Sequence, residues 1–426
     1  MSLQDRPVVR LGSSTRSRGV PEVDVAIVGG GPAGLAAAAE AAKGGLNVVV
    51  LERAHAIGEP VRTSGGSFVK PLKAMGVPPR CYHPIHRIRV IGPTTQALKT
   101  YRQAVGCVLD VRGTYQWLAQ QAIESGAEVR LRSHVEGPLR DETAPGDSGG
   151  GGRVHGVAVR DPFRGKYELT SRVVVDASGH TGFVARDAGL RPGNDRSAVG
   201  MELELHSPAY DQDEVVFWLG DDVAPGGYGW AFPCGDGRVR LGVGVVRPDS
   251  DAEPRVLLEA LRAEFVRLVG PSSADGALEM HSGLMPVLPP DATTLVGDGV
   301  VVTGDAAGQG STLLGEGIRY AILAGRGAGH AIVAAGGDYS ARGLASYPRQ
   351  WRRTSGRNLK ISYAVNERIC KFGDSDWDRV IRRMDKLTPG QAAAVFSSSF
   401  SPWWALSVLS TDPSLVRSVF RALRSR

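Results

Sequence analysis

The chain has 426 residues, of which 42% are hydrophobic and 22% are charged, and its formal net charge at pH 7 is +6. This length provides for two or three domains with a substantial core, and the composition is that of a globular protein. No stretch approaches the roughly 18 to 20 apolar residues of a membrane span, and no basic run interleaved with aromatic residues indicates a nucleic-acid groove. We therefore assign the excess charge to an arginine-rich, solvated surface and expect no nucleic-acid partner.

The cysteines argue against zinc and disulfide chemistry. Cys81, Cys107, Cys234 and Cys370 stand far apart and form no C-x-x-C pair, and isolated thiols fit a reducing cytoplasm. Residues 1–22 are polar, rich in arginine and without the apolar segment of a secretory signal. They predict a disordered tail, with an arginine- and serine-rich transit peptide as the alternative.

The first predicted elements form a β-α-β unit. VDVAIVGG (23–30) is an apolar strand that ends in glycines, and PAGLAAAAEAAKGG (32–45) is a helix that stops at a glycine pair. NVVVLER (47–53) is the second strand. Two strands joined by one crossover helix pair in parallel.

Three glycines join this strand to this helix, and we term them the glycine fingerprint: Gly29, Gly31 and Gly34. The first permits a tight turn, the second lets the backbone approach a pyrophosphate, and the third lets the helix pack on the strand. Glu52 ends the second strand about twenty residues later, where a carboxylate accepts hydrogen bonds from an adenosine ribose. The register predicts a dinucleotide site, and a set of packing glycines with an idle glutamate is the alternative.

The middle of the chain alternates between helix and strand. GTYQWLAQQAIESGAEV (113–129) predicts an amphipathic helix followed by a strand, and residues 142–152 predict an exposed hairpin tip. SRVVVDASGHTG (171–182) is a buried strand that ends in a turn of small residues. Residues 190–290 read as alternating strands interrupted by one helix, PRVLLEALRAEFVRLVG (254–270).

A second cofactor signal lies in VVVTGDAAGQGSTLLGEGI, where Asp305 follows a strand and precedes glycines and a helix. A carboxylate there can bind ribityl hydroxyls, and the N-terminus of the next helix favours negative charge on a reduced flavin ring. A turn capped by Asp305 is the alternative. Together with the glycine fingerprint, this signal favours FAD over NAD as the bound cofactor.

The stretch PGGYGWAFP (225–233) breaks the backbone with glycines and prolines, yet Tyr228, Trp230 and Phe232 alternate as on one face of a strand. Two interpretations of these aromatic residues are open: they pack in the core of a domain, or they form the wall of a site for an apolar ligand. After about residue 340 the pattern is helical.

These motifs resemble a known family. The pairing of GGGPAG and Glu52-Arg53 with GDAAG and GEG resembles the FAD-dependent oxidoreductases of the p-hydroxybenzoate hydroxylase type. Within that group, PGGYGWAFP resembles the P-x-x-Y-x-W-x-F-P motif of the geranylgeranyl reductase family. The resemblance covers about residues 23–340.

The predicted fold class is α/β, with a Rossmann-like FAD-binding domain that is discontinuous in sequence, an inserted, mostly antiparallel β substrate domain and a C-terminal helical region. The predicted segments are a tail (1–22), the FAD-binding domain (23–66, 108–189 and 291–340), the substrate domain (67–107 and 190–290) and the helical region (341–426).

The resemblance also implies roles for single residues. It makes Gly29, Gly31, Gly34, Glu52 and Arg53 contacts to the ADP part of FAD. It places Arg112 near FAD, Asp305 at the ribityl and pyrophosphate region, and Gly317 and Ile318 beside the flavin ring. It assigns the Asp176 turn a supporting role. Capping of a helix or turn is the alternative for Arg112 and Asp176.

The implied reaction passes a hydride from NAD(P)H to FAD and then to a carbon–carbon double bond of a prenyl or other small hydrophobic substrate. Tyr228 is a candidate proton donor or orienting group. Trp230 and Phe232 would form apolar walls that stabilise developing positive charge, and packing is the alternative for both. Many family members carry Cys-Gly where this chain has Ser64-Gly65; a hydroxyl is a weaker acid than a thiol, so Ser64 is a tentative catalytic position or a turn residue.

Two other functions stay open at this point: a flavin monooxygenase of specialised metabolism and a non-catalytic prenyl-binding protein. The bias toward arginine, alanine, glycine and valine favours a GC-rich bacterial source.

The C-terminal stretch SPWWALSVLSTDPSLVRSVFRALRSR places four apolar residues on one helical face and arginines elsewhere. The apolar positions are Val416, Val419, Phe420 and Leu423. Such a helix either packs on its own domain or lies on an anionic membrane, which would make the cytoplasmic protein membrane-peripheral.

Overall fold

The computed structural model describes residues 21–141, 152–270 and 276–411. Within these ranges the strands are, in chain order, β1 (Val23–Val28), β2 (Val48–Leu51), β3 (Gly66–Phe68), β4 (Tyr82–Ile85), β5 (Arg87–Ile91), β6 (Gln96–Thr100), β7 (Gly106–Leu109), β8 (Glu128–Arg130), β9 (His134–Arg140), β10 (Val154–Asp161), β11 (Gly165–Asp176), β12 (Ser197–His206), β13 (Glu214–Trp218), β14 (Gly227–Gly235), β15 (Arg238–Arg247), β16 (Ala277–Pro286), β17 (Val296–Gly297) and β18 (Val300–Val302).

The helices of the same ranges are α1 (Pro32–Lys43), α2 (Val69–Ala74), α3 (Val111–Glu124), α4 (Phe183–Asp187), α5 (Pro254–Val269), α6 (Ile318–Ala334), α7 (Ser346–Trp351), α8 (Arg357–Ile369), α9 (Asp374–Lys386), α10 (Pro389–Phe396) and α11 (Pro402–Thr411). No helix of the described residues has the length and apolar character required to cross a membrane.

An eight-stranded sheet contains the predicted β-α-β unit. Its order is β17-β18-β11-β1-β2-β8, and β10 and β9 extend it from β11. β1 pairs in parallel with β2 and β11, and β11 pairs in parallel with β18. Asp176 lies in register with Val28 and Val302, so three parallel strands end at the same edge, where ligands of such sheets bind.

A seven-stranded sheet, in the order β16-β12-β15-β14-β13-β5-β6, forms the second layer. Its pairs are antiparallel except β13 with β5. A small third sheet, β3-β7-β4, accompanies them. The predicted α/β fold class with a mostly antiparallel second domain and C-terminal helices is confirmed.

The strands of the first sheet fall within the three segments predicted for the FAD-binding domain, and those of the second sheet fall within 67–107 and 190–290. β3 and β7 of the small sheet straddle the predicted borders. The domain boundaries themselves stay a prediction. β9 and β10 pair antiparallel on either side of the predicted hairpin tip, most of which lies outside the described residues, as does most of the predicted tail.

Candidate active site

The glycine fingerprint forms a cradle at the edge where the parallel strands end. Gly29 has a φ of +108°, and a Cβ there would lie 2.3 Å from the Ala177 carbonyl oxygen, so the turn requires glycine. A Cβ on Gly31 would meet no atom within 4 Å, because this residue faces the cavity. Among the residues that the structure describes, no side chain caps the start of α1, so the amide groups of its first turn can bind a pyrophosphate.

Glu52 stands beside this cradle. Its carboxylate accepts hydrogen bonds from the amides of Gly30 at 2.7 Å and Ala54 at 2.8 Å. Glu52 and the exposed Arg53 both line the cavity. A carboxylate has about four acceptor sites, and these two bonds leave capacity for a ribose diol.

Asp305 follows β18 and lies close to the start of α1, since a Cβ on the preceding Gly304 would lie 2.7 Å from Ala33 Cβ. Burial raises the pKa of Asp305 to about 6, and the guanidinium of Arg191 counteracts part of this rise. A Cβ on Gly317 would lie 3.6 Å from Asp305 Oδ1, and Ile318 begins α6. The fold thus brings together Asp305, Gly317 and Ile318, which line the cavity with Gly29 and Gly31; their contacts with FAD remain a proposal.

Asp176 fixes the neighbouring turn. It is fully buried and accepts hydrogen bonds from the amides of Ser178 at 3.0 Å and Ala185 at 2.7 Å. Burial raises the pKa values of Asp176 and Asp305, and Arg191, also buried, opposes the rise in both. Sequence reasoning missed this arginine because no motif marks it.

One cavity of about 1350 Å³ begins at the cradle and continues between the seven-stranded sheet and the C-terminal helices. Its far end is apolar and aromatic, and the side chains there include Phe217, Tyr228, Trp230, Leu313, Phe396 and Trp404. This volume exceeds the range of about 300 to 1,000 Å³ that is usual for a pocket with one small ligand. The cavity therefore provides for a cofactor and a second, hydrophobic molecule.

Phe217, Tyr228 and Trp230 form what we term the aromatic wall. The ring of Tyr228 lies 5.6 Å from those of Phe217 and Trp230. The Tyr228 hydroxyl donates to the Leu314 carbonyl oxygen at 2.6 Å, and burial, together with the charge of Glu202, raises its pKa. Because the Tyr228 hydroxyl already donates a hydrogen bond and its pKa is raised, we favour the substrate-orienting role of Tyr228 over the role of proton donor.

Trp230 has space for its indole because the facing strand carries glycine. A Cβ on Gly242 would lie 2.4 Å from Trp230 Cζ2. The indole Nε1 donates to Glu202 Oε2 at 3.0 Å, which fixes the orientation of the ring.

Phe232 lies behind the aromatic wall. Its Cε2 atom is 3.0 Å from the Cβ position of Gly66, and its ring lies 5.4 Å from that of Phe217. It is absent from the described residues that line the cavity. The packing alternative describes Phe232 better than substrate contact does.

Ser64 and Arg112 were predicted near the flavin. Ser64 lines the cavity, and its carbonyl oxygen accepts from the buried Arg240 at 2.8 Å. Arg112 instead pairs with Glu59 at 2.9 Å and stands outside the described lining of the cavity. Contact between Arg112 and FAD would require exchange of this partner.

Sequence reasoning also missed Glu202, His281 and Arg240, all buried on the seven-stranded sheet. The available signal was the strand MELEL, in which Glu202 and Glu204 share one face. A pair of carboxylates on one face of an otherwise apolar strand indicates partners across the sheet.

The helix α11 presents two faces. Trp404 is buried, lines the cavity and donates from Nε1 to the Gln391 carbonyl oxygen at 3.1 Å. Trp403 is 79% exposed and Leu406 is 57% exposed. The apolar stripe predicted at residues 416–423 lies outside the described residues.

Two family models match the chain. The FAD-dependent oxidoreductase model matches residues 24–216, and the model of the geranylgeranyl reductase catalytic domain matches residues 197–274. The fold, the cradle and these matches define an FAD-dependent oxidoreductase.

Characterised relatives narrow the class. A digeranylgeranylglycerophospholipid reductase from Methanothermobacter thermautotrophicus is 33% identical over 92% of this chain and 98% of its own length. A second such reductase, from Methanopyrus kandleri, is 31% identical over 86% of this chain and 91% of its own length. This chain belongs to the geranylgeranyl reductase family, as the motif resemblance predicted.

Solved structures show the same fold. A geranylgeranyl bacteriochlorophyll reductase-like protein from Thermoplasma acidophilum has a TM-score of 0.80 at 23% identity, over 94% of this chain and 99% of its own. A flavin-dependent brominase has a TM-score of 0.64 at 18% identity, over 94% of this chain and 98% of its own. The two reductases and the Thermoplasma protein are archaeal, so the predicted bacterial source and the setting in specialised metabolism gain no support.

Proposed function

We propose that this FAD-dependent reductase saturates carbon–carbon double bonds in the prenyl chains of a lipid. One observation carries the proposal: a single cavity joins the glycine fingerprint to the aromatic wall and the C-terminal helices. The reductases it resembles carry a geranylgeranyl lipid in their names. The family match favours reduction over the monooxygenase alternative.

Different residues of the cavity would bind the cofactor, bind the prenyl chain and orient it. The α1 amides, Glu52 and Asp305 would hold FAD, which supplies a hydride when reduced. Trp230 and Phe217 would hold the prenyl chain, and their π faces would stabilise positive charge on a tertiary carbon. Tyr228 would orient the chain from its bond to Leu314.

NAD(P)H is the proposed source of the electrons. The sequence holds one dinucleotide fingerprint, and the cavity has room beside the cradle. The nicotinamide cofactor would therefore bind transiently in the shared cavity and leave before the lipid reacts.

Contact with a membrane surface would deliver the substrate to this cytoplasmic enzyme. Trp403 and Leu406 are exposed on the helix whose Trp404 lines the cavity. A tryptophan beside an aliphatic side chain suits the membrane interface. A lipid would then pass from the membrane along α11 into the cavity.

The test is anaerobic mixing of the dithionite-reduced, FAD-loaded protein with a digeranylgeranyl phospholipid. We expect the oxidised flavin spectrum to return with this lipid and not with its fully saturated counterpart, which serves as the matched control. A Trp230→Ala variant should slow the return and leave FAD binding intact. Equal return of the spectrum with both lipids, or no return with either, would contradict the proposed function.

A further inference from the structure

Three titratable side chains form a hydrogen-bonded row from the cavity wall to the protein surface: Glu202, His281 and Glu279. His281 Nδ1 lies 2.9 Å from Glu202 Oε1, and His281 Nε2 lies 3.0 Å from Glu279 Oε2. Glu202 forms part of the cavity wall. The side chains of Glu202 and His281 are 3% and 5% exposed, whereas that of Glu279 is 43% exposed.

The sheet places this row next to the aromatic wall. His281 pairs with Glu202 between β16 and β12, and Glu202 pairs with Gly242 between β12 and β15. Trp230 pairs with Gly242 from the other side. The indole therefore lies over the glycine and reaches the Glu202 carboxylate.

A purely structural role for the row is costly. Burying a carboxylate costs several kcal/mol unless it is paired, and Glu202 needs both Trp230 and His281 as partners to be accommodated here. An imidazole with a carboxylate on each nitrogen, by contrast, can accept a proton on one side and release one on the other.

The reaction needs such a device. Saturating an isolated double bond consumes one hydride and one proton. The double bond would lie at the apolar, aromatic end of the cavity, where Glu202 stands next to Trp230. Tyr228 is a poor donor because its hydroxyl is bonded to Leu314.

We propose that Glu202 gives the proton to the double bond, and that His281 and Glu279 restore it from solvent; this rests on the proposed function. Bound, reduced FAD would supply the hydride for one C–H bond, and the Glu202 carboxyl proton would form the other. The Glu202 carboxylate then takes the Nδ1 proton of His281 while the unprotonated Nε2 accepts the proton of the Glu279 carboxyl group. Water reprotonates Glu279, and exchange of the ring proton from Nε2 to Nδ1 resets His281.

The charges around His281 are consistent with this path. Burial works against its charged form, but hydrogen bonds with Glu202 and Glu279 raise the pKa of His281, and Arg240 on β15 opposes them. Arg112 on α3 lies 3.8 Å from Glu279 at the outer end. The net effect is a pKa of His281 above its ordinary value, so this ring holds a proton more readily than a free histidine does.

The first test measures the titration of His281 in the absence of substrate. In protein labelled with 15N-histidine, the His281 resonance is assigned by its loss in His281→Gln. We expect His281 to titrate above the ordinary histidine range in the wild type and lower in Glu202→Gln and Glu279→Gln. The exposed Glu168→Gln is the control and should leave it unchanged. An ordinary pKa for His281 that neither variant shifts would overturn the proposal.

The second test separates proton delivery from support of Trp230. Glu202→Gln should slow reoxidation of the reduced flavin by the lipid about 10²- to 10³-fold, and leave flavin reduction by dithionite unchanged. It should do so in the Trp230→Phe background too, where the indole bond is already absent. No further slowing in that background would overturn the proposal and assign Glu202 to positioning.

Glu279→Gln is expected to disturb the fold less than Glu202→Gln, because the side chain of Glu279 is half exposed and does not pack in the core. It should slow reoxidation less than Glu202→Gln and change its solvent isotope effect. If the wild type itself fails to react with any prenyl lipid, the proposed function falls, whereas the histidine titration fails or holds independently of that result.

Discussion

The two ends of the cavity differ in the groups that line them: backbone at the cofactor end and side chains at the substrate end. At the cofactor end, we expect the backbone to provide most of the contacts: the turn at Gly29, the open face of Gly31 and the amides of the first turn of α1. At the substrate end, side chains from β12, β13, β14 and β16 meet across a sheet. A backbone cradle fixes a cofactor of constant structure, whereas a wall of side chains can change with the substrate.

The substitution with the largest expected effect is Gly29→Val at the cofactor end. Its side chain would meet the Ala177 carbonyl at a positive φ, so we expect a loss of about 3–5 kcal/mol in the free energy of unfolding and loss of the yellow colour of bound FAD. Urea unfolding and the absorbance of the purified protein measure both. Gly137→Ala, where a Cβ meets no atom within 4 Å, is the control; an equal loss there would remove the argument.

At the substrate end, Gly242→Ala should displace the indole of Trp230. Overpacking of this kind costs about 1–3 kcal/mol, and the variant should still bind FAD, because the cradle is untouched. Gly244→Ala is the matched control, since a Cβ there lies 3.4 Å from Trp230 Cζ3. Loss of FAD in Gly242→Ala would show that the two ends are not separable.

Asp305→Asn tests the cofactor end through the pH dependence of the free energy of unfolding. Burial raises the pKa of Asp305 to about 6 in the flavin-free protein, so its ionised form destabilises the fold above that pH. We expect the flavin-free variant to be more stable than the wild type by about 1–2 kcal/mol at pH 7. The difference should shrink as the pH falls through about 6 and disappear below about 4.

Urea unfolding at a series of pH values measures this difference. The exposed Asp195→Asn serves as the control and should show no such dependence. A gap that persists below pH 4 would contradict the assignment to ionisation of Asp305.

The smallest effect on stability is expected at the membrane face. Trp403→Ala removes an exposed ring, so the free energy of unfolding should change by less than about 0.5 kcal/mol, while binding to anionic vesicles falls. Phe163→Ala, another exposed aromatic residue, is the control in a vesicle sedimentation assay. Unchanged binding of Trp403→Ala would remove α11 as the contact.

The sequence was most informative where function depends on local backbone. The glycine fingerprint, the Asp305 turn and the strand of Tyr228 and Trp230 could be predicted because their parts lie within a few residues of each other. The substrate end was less accessible, since the bond between Glu202 and His281 joins residues 79 positions apart, and only the strand register brings them together. Phe232 illustrates the same limit: strand alternation placed it with Trp230, but the start of β3 at Gly66 covers it.

The most direct test of the central claim is the mass of the product. The FAD-loaded protein, supplied with NAD(P)H and an unsaturated prenyl lipid without oxygen, should yield a lipid that gains two hydrogens for each double bond reduced. A product that gains an oxygen atom, and forms only when molecular oxygen is present, would contradict the assignment as a reductase.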